Sequence, residues 1–176
     1  IVLGLIGSLL VGVAGAKALA WSLGKPLVGV DHIESHLYGA LLEDHSWTYE
    51  SIFPALGLVV SGGHTAIYEV RSPLEMQRIG STIDDAIGEA YDKAASILGL
   101  GYPGGPIVDK RAQRGNAGAH DLPVSRLKPG SLDFSYSGLK TALLYTVRGT
   151  PSASDASGKP VYERAASDLT ESEIDD

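Results

Sequence analysis

The clearest alternation of apolar and polar positions lies between residues 56 and 70, where it predicts a β-hairpin. The first arm, residues 56–60, is apolar, and the second arm, residues 65–70, sends alternate side chains to opposite faces. Two adjacent glycines, Gly62 and Gly63, occupy the turn between the arms. Glycine permits the positive φ angles of tight hairpin turns, and it also lets backbone N–H groups approach an anion such as phosphate. Taken alone, the turn is compatible with either role.

Helical periodicity precedes the hairpin. Apolar residues at helical spacing from Leu9 to Leu23 predict a helix with Ser8 as its N-cap and Gly24 as the residue that ends it. The apolar run at residues 26–30 then predicts a short buried strand of a parallel sheet. A strand that follows a helix in this way indicates an α/β architecture.

Two histidines, His32 and His36, follow this predicted strand. Positions four residues apart share one face of a helix, so the two imidazoles can chelate one cation, although such pairs also occur in helices that bind no metal. In the familiar zinc peptidases a glutamate directly follows the first histidine. Here Ile33 occupies that position and Glu34 faces away from the histidines, which argues against that type of proteolysis.

The middle of the chain is predicted to contain two connections and a helix. Residues 43–54 are polar, aromatic and turn-forming, which indicates a connector between two lobes, and residues 71–80 are predicted to be a linker. Helical spacing then predicts a helix that is capped by side chains of residues 81–84, runs to about Leu98 and stops at Gly99.

A second glycine-rich turn, residues 99–106, leads into a helix with Pro106 at its first position. Backbone amides at such a helix start favour anions, and Asp109, one turn later, can accept hydrogen bonds from sugar hydroxyls. Because glycine-rich turns are common, an ordinary connection is the alternative. A last helix is predicted from Ser137, as its N-cap, to a stop at Gly149.

Charge is distributed unevenly along the 176 residues, whose net charge is -7. Residues 106–149 contain seven basic and three acidic residues, whereas residues 150–176 contain two basic and seven acidic residues. The basic segment suits contact with a phosphate backbone, with a solvated surface as the alternative, and the acidic end is predicted to be flexible, without a terminal element. Glu89 and Lys93 are spaced to form a surface ion pair.

Cysteine does not occur in the sequence, which excludes disulfides, thiolate metal sites and cysteine nucleophiles. This composition is compatible with a cytoplasmic protein. The most apolar stretch, residues 1–23, carries Lys17 and four glycines, so no membrane-spanning segment is predicted.

Five motifs occur in one order along the chain. They are residues 32–36 (HIESH), 59–65 (VVSGGHT), 83–93 (IDDAIGEAYDK), 102–106 (YPGGP) and 133–141 (DFSYSGLKT). Together they resemble the TsaD/Kae/Gcp family over residues 1 to about 149, and the resemblance fades in the acidic end. The resemblance implies an α/β protein of the actin-like ATPase (ASKHA) fold. It also implies transfer of a threonylcarbamoyl group from threonylcarbamoyl-adenylate to the 6-amino group of adenosine 37 in tRNAs that read codons starting with A.

The resemblance also implies roles for individual residues. His32 and His36 would be ligands of one divalent metal, iron or zinc. The donor's acyl and phosphate groups would contact Val59, Val60, Ser61, Gly62 and Gly63. Its adenosine would contact Asp92, Gly105 and Asp109. The implied partners are tRNA, an inactive paralogous subunit and an ATPase subunit. The basic residues between Lys110 and Lys140 would form part of the surface that contacts tRNA. The implied location is the cytoplasm.

Departures from the family pattern indicate a central fragment of the fold. The sequence has no counterpart of the family's opening strand and phosphate loop, which is of the type Glu-Thr-Ser-Cys-Asp-Glu-Thr, and the chain begins at Ile1. It also lacks the family's C-terminal Ser-Ala-Asn motif and the third metal ligand, an aspartate, that accompanies this motif. We expect residues 1–50 to be the end of a first lobe, 51–149 the start of a second, and 150–176 an acidic end. Such a fragment is expected to be inactive alone and to bind metal weakly or not at all.

Two other functions stay open at this point. A non-catalytic actin-like scaffold has no need for His32 and His36 together with Asp92 and Asp109. A metallopeptidase, as an old name of the family (O-sialoglycoprotein endopeptidase) suggests, is disfavoured by Ile33 at the place of the general base.

Overall fold

The computed structural model describes residues 6–42, 47–125 and 127–176, and it divides into two compact units, Ile1–Trp47 and Thr48–Asp176. Four residues of the predicted connector, 43–46, lie outside the described part, and a short helix, α3 (Tyr49–Ile52), follows them. The histidine pair falls in the first unit, and both glycine-rich turns fall in the second.

The first unit contains helices α1 (Ile6–Ser22) and α2 (His32–Gly39). Helix α1 is the predicted first helix, but it begins at Ile6, so the prediction of Ser8 as its N-cap is wrong. The predicted stop at Gly24 is confirmed, because its φ of 59° is left-handed and the amide of Lys25 donates to the carbonyl of Ala20 at 2.9 Å.

The strand predicted at residues 26–30 is wrong. Residues 25–31 have no regular secondary structure, and Val28 and Val30 are 78% and 73% exposed. A strand exists only where a neighbouring backbone pairs with it, and no strand lies among the described residues of the first unit. The apolar run therefore joins no sheet among the described residues.

The second unit is built on a three-stranded antiparallel sheet in the order β1 (Ala55–Val60), β2 (Thr65–Ser72) and β3 (Glu75–Ser81). The β1–β2 pair confirms the predicted hairpin, with Val60 opposite Thr65 at the turn. The linker predicted at residues 71–80 is wrong, because most of it forms β3. Mixed polar and apolar residues on this edge strand hide the alternation that marks β1 and β2.

Three helices pack in this unit: α4 (Ile87–Ile97) contacts both α5 (Gly104–Ala112) and α6 (Ser137–Arg148). Helices α4 and α6 are followed by Gly99 and Gly149, with φ of 73° and 76°, as predicted. Tyr91 on α4 is 42% exposed. The buried apolar side chains come from the sheet, from the start and end of α4, and from α6: Val59, Ala66, Val70, Ala86, Ala95, Leu98 and Val147.

The acidic end contains a two-stranded ladder, β4 (Ala153–Ser154) with β5 (Pro160–Val161), a 3₁₀ turn at Ala166–Asp168, and helix α7 (Glu171–Asp175). The prediction that this end has no terminal element is wrong, because the Thr170 hydroxyl and the Glu173 carboxylate form a capping box that starts α7. The flexibility of the segment stays a prediction.

Helices and sheet together agree with the predicted mixed architecture, although the described ladders are antiparallel and parallel pairing is confined to one bridge, Thr82 with Phe134. Within the described ranges, the helices are too short or too polar to cross a lipid bilayer.

Candidate functional site

The hairpin turn is closed by Ser61. Its amide donates to the carbonyl of His64 at 2.8 Å, and its hydroxyl accepts from the amide of His64 at 2.9 Å. Neither Gly62 nor Gly63 has a positive φ, so the backbone explanation for these glycines is wrong. A Cβ at either position would meet no atom of the described residues within 4 Å. The outer side of the turn is therefore open.

Helix α4 begins directly against this turn. The amide of Gly88 donates to the carbonyl of Ser61 at 3.4 Å, and a Cβ at Gly88 would lie 2.7 Å from the Cα of Gly62. The amide of Ile87 donates to the hydroxyl of Thr65 at 2.9 Å. Because a helix start carries partial positive charge, this packing places a second electropositive group beside the amides of the turn.

Thr65 is a functional side chain that sequence reasoning missed. The caps predicted for α4 at residues 81–84 are wrong: the helix starts at Ile87, its N-cap Ala86 has no side-chain bond, and the hydroxyl of Thr82 donates to the carbonyl of Asp85 at 2.7 Å. Thr65 is buried and lies 22 residues before the amide that it caps. A local sequence pattern does not reveal a cap supplied from another strand.

The second glycine-rich turn is attached to α4 through Asp92, whose Oδ1 accepts from the amide of Gly104 at 2.7 Å. Gly104 is buried, and a Cβ there would lie 2.6 Å from the carbonyl oxygen of Tyr91. The structure thus brings Asp92 next to Gly105, two of the residues that were assigned to the adenosine. Helix α5 starts at Gly104, so the prediction of Pro106 as its first residue is wrong by two positions.

Asp109 lies one helical turn after Gly105, on the same side of α5. Its side chain is exposed, and its Oδ2 accepts from the Gln113 amide nitrogen at 3.4 Å. Asp92, Gly105 and Asp109 therefore border one surface around the α4–α5 junction.

Two neighbouring carboxylates hold the start of α4 to the start of α6. Asp84 Oδ1 accepts from the Tyr136 amide at 2.9 Å, and Asp84 Oδ2 accepts from the Ser135 hydroxyl and, at 3.4 Å, from the amide of Ser137. Partial burial alone would raise the pKa of Asp84, but these hydrogen bonds hold it far below its usual range. Ser137 is the first residue of α6, and Asp84, rather than Ser137 as predicted, accepts from the amides at the start of this helix, those of Tyr136 and Ser137.

Asp85 contacts two lysines, Lys93 Nζ at 2.5 Å and Lys140 Nζ at 3.6 Å. The hydrogen bond from Lys93 is the main reason that the pKa of Asp85 lies below its usual range. Lys93 also contacts Glu89 at 2.9 Å, which confirms the predicted ion pair. This cluster joins α4 to α6.

The histidine pair occupies the start of α2, where the Asp31 carboxylate accepts from the amides of Ile33 and Glu34 at 2.8 and 3.1 Å. The Nε2 atoms of His32 and His36 lie 3.2 Å apart. Two nitrogens bound to one zinc at tetrahedral angles lie about 3.3 Å apart, so the pair fits two ligand positions of one ion. The described residues form no group of three or more histidine, aspartate or glutamate side chains arranged around one ion.

The basic segment is partly neutralised by the acidic end. Arg111 contacts the carboxylates of Glu171 and Asp175, the latter at 3.0 Å, and Arg114 contacts Asp175 at 2.8 Å. Arg164, with Thr170, lowers the pKa of Glu173 to about 2, and this pairing fixes the start of α7. By contrast, the exposed Lys110 and Lys128 have no carboxylate within 4.0 Å in the part of the chain that the structure describes.

Comparison with known proteins identifies the family. The family model described as TsaD, tRNA N6-adenosine threonylcarbamoyltransferase, matches residues 4–176, so the match continues through the acidic end, where the resemblance was expected to fade. A protein of that name from Mesoplasma florum is 54% identical over 141 residues, which is 80% of this chain and 43% of that protein. Those from Desulfitobacterium hafniense and Brachyspira hyodysenteriae are 52% and 53% identical, over 82% of this chain and 41% and 42% of their own lengths. The chain thus spans about two fifths of the length of these relatives, and it belongs to the tRNA N6-adenosine threonylcarbamoyltransferase family.

Proposed function

We propose that this chain supplies the donor-binding turn and two metal ligands of an enzyme that modifies adenosine 37 in tRNAs reading codons that start with A. In the reaction, the 6-amino nitrogen of adenosine attacks the carbamoyl carbonyl carbon of threonylcarbamoyl-adenylate. A C–N bond forms, the bond from that carbon to the phosphate oxygen breaks, the nitrogen loses one proton, and AMP leaves. The observation that carries the proposal is the packing of the α4 start against the open turn at Gly62 and Gly63.

Negative charge builds on the phosphate as AMP leaves. A Cβ at Gly62 or Gly63 would meet open space, so their amides would be the donors to the phosphate, and the α4 start adds partial positive charge next to the turn. Fixed donors of this kind stabilise developing charge without reorganising, and this is often the largest single contribution to catalysis. Val60 and Ser61 would continue the wall along which the acyl group and phosphate lie, whereas the side chain of Val59 is buried, so Val59 would contribute only its backbone.

The second glycine-rich turn, residues 99–106, would bind the adenosine. Asp92 uses Oδ1 to bind the amide of Gly104, which leaves its Oδ2 to accept from a ribose hydroxyl. Asp109, exposed on the following helical turn, would accept from the ribose as well, while Gly105 lets the sugar approach the backbone.

His32 and His36 would hold one divalent metal, iron or zinc, together with the aspartate that the family supplies from another part of its chain. When bound, such an ion polarises the carbamoyl carbonyl. Asp31 fixes the helix start from which both imidazoles project, so the ligands are held at a spacing suited to one ion. tRNA, an inactive paralogous subunit and an ATPase subunit would be the partners.

Replacing Gly63 by alanine tests the role of the turn. Because the added methyl would meet no described atom within 4 Å, we expect the free energy of unfolding to change by less than about 0.5 kcal/mol. The methyl would occupy the space of the phosphate, so we expect AMP to bind at least roughly tenfold more weakly, measured by calorimetry. Gly138→Ala is the matched control, because its methyl would also meet open space but lies on α6. Equal AMP affinity in both variants would contradict the proposed turn.

The transfer reaction itself is tested with a full-length protein that contains this chain. After incubation with threonylcarbamoyl-adenylate and unmodified tRNA, mass spectrometry should detect threonylcarbamoyladenosine at position 37. Failure to form it under conditions where a known family member is active would refute the proposed function.

Metal binding is tested by removing either imidazole. In a full-length protein that contains this chain, we expect His32→Ala and His36→Ala each to weaken Zn²⁺ binding by at least roughly tenfold, because each removes one of the proposed metal ligands. Competition with a chromogenic zinc chelator measures this affinity, and His120→Ala, in the second unit, serves as the control. A wild-type chain whose zinc affinity equals that of both variants would show that the histidine pair does not bind the metal.

A further inference from the structure

Two distant segments of the second unit are joined side by side by backbone bonds. The amide of Phe134 donates to the carbonyl of Ser81 at 3.2 Å, and the amide of Ile83 donates to the carbonyl of Phe134 at 2.9 Å. The amide of Ser81 also donates to Asp133 Oδ1 at 3.0 Å. We call residues 81–84 with residues 133–136 the paired segment; it lies directly before both α4 and α6.

Asp84 closes this paired segment at the end nearest the helices. Its two oxygens accept from the Ser135 hydroxyl and from the amides of Tyr136 and Ser137, and Oδ1 also accepts from the amide of Asp85 at 2.8 Å. Both carboxylate oxygens of Asp84 therefore accept hydrogen bonds from groups of the paired segment and of the start of α6. Only a side chain that accepts at both oxygens satisfies this arrangement.

Asp84 lies four residues before Gly88, which contacts the hairpin turn. Asp84 is followed by Asp85, held by Lys93 and Lys140, and then by the first residues of α4. There the amide of Gly88 donates to the carbonyl of Ser61. Gly88 lies so close to the turn that a Cβ on it would be 2.7 Å from the Cα of Gly62. A displacement of the start of α4 would therefore change the backbone conformation of the Ser61–Gly63 turn.

We propose that Asp84 is a positioning residue that sets the Ser61–Gly63 turn through the paired segment and the start of α4. The proposal deepens the function proposed above and rests on the role of that turn in holding the donor phosphate. Asp84 does not touch the ligand; it fixes the place of α4 relative to the turn.

The test uses Asp84→Asn, which keeps the shape of the side chain but replaces one acceptor oxygen by a donor. In the folded variant at low temperature, we expect the backbone amide NMR signals of Gly62, Gly63 and Gly88 to shift, and AMP to bind roughly tenfold more weakly. Ser135→Ala, which removes one of the donors to Asp84, should shift the same signals by less.

Asp155→Asn is the matched control. Asp155 also accepts from amides and a hydroxyl, those of Ser157 and Lys159, but in the loop between β4 and β5. This variant should leave the signals of the hairpin turn in place. Unchanged Gly62, Gly63 and Gly88 signals in a folded Asp84→Asn chain would overturn the positioning role. A wild-type chain that binds no AMP would instead count against the proposed function, and the NMR comparison would still decide the role of Asp84.

Discussion

Replacing Gly104 by alanine is expected to lower the free energy of unfolding by about 1–3 kcal/mol, the usual cost of forcing a methyl group into a packed interior. The new Cβ would lie 2.6 Å from the carbonyl oxygen of Tyr91 and 2.7 Å from the Cα of Asp92. Both neighbours are backbone atoms of α4, so a rotamer change cannot relieve the contact. Helix α5 would move away from α4 and lengthen the 2.7 Å bond between the Gly104 amide and Asp92. Urea unfolding followed by circular dichroism measures the loss as a lower midpoint with an unchanged slope.

Gly105→Ala is the matched control for this prediction. A Cβ at Gly105 would have its nearest neighbour, the Cβ of Tyr91, at 4.0 Å, which is ordinary contact. We expect the stability of this variant to stay within about 0.5 kcal/mol of the wild type. Its affinity for AMP should fall, since the methyl would stand in the adenosine site proposed above. If both alanine variants unfolded at the same urea concentration, crowding against α4 would not be the reason for glycine at position 104.

Elements with a complete local signal were predictable from the sequence. The β1–β2 hairpin has its alternation and its glycine turn within 15 residues, and the ends of α1, α4 and α6 are each marked by a glycine with positive φ. The helix that carries His32 and His36 is also local, although its cap, Asp31, had not been identified. In each case the residues that determine the element are also the residues that form it.

Features that depend on distant partners were not predictable. Thr65 caps α4 from another strand, and Asp84 caps α6 from more than 50 residues away. The same reason explains the errors in strands: β3 exists because β2 pairs with it, whereas residues 26–30 have the composition of a strand but no partner among the described residues of their unit.

In the candidate site, too, local features were predictable from the sequence and features that depend on distant residues were not. The glycines were recognised from the sequence, and of the two explanations left open for Gly62 and Gly63, positive φ is wrong, whereas anion binding stays a prediction. Their surroundings differ: Gly88 and Gly104 permit close backbone packing, a Cβ at Gly62 or Gly63 would meet no described atom within 4 Å, and one at Gly105 would make only ordinary contact. Only coordinates separate glycines of the first kind from those of the second.

Reversing the charge of Arg111 is expected to release α7 from α5. Arg111 is 22% exposed and lies between Glu171 and Asp175, so Arg111→Glu would place three carboxylates together. We expect trypsin to cleave after Arg164 roughly tenfold faster, because that bond becomes accessible once the segment opens. Mass spectrometry of the released fragment, residues 165–176, measures the rate. An unchanged rate of cleavage after Arg164 in Arg111→Glu would show that these contacts do not hold α7 on α5.

This expectation changes how the tRNA surface must be tested. A loss of tRNA binding in Arg111→Glu would follow from the release of an acidic segment as readily as from a lost phosphate contact. Lys110 and Lys128 avoid this ambiguity, because both are exposed and neither has a carboxylate within 4.0 Å among the described residues. Lys110→Glu should therefore leave the trypsin cleavage rate unchanged while it weakens tRNA binding and reduces the salt dependence of that binding. If tRNA affinity and its salt dependence stay the same in Lys110→Glu and Lys128→Glu, the basic segment does not contact tRNA through these lysines.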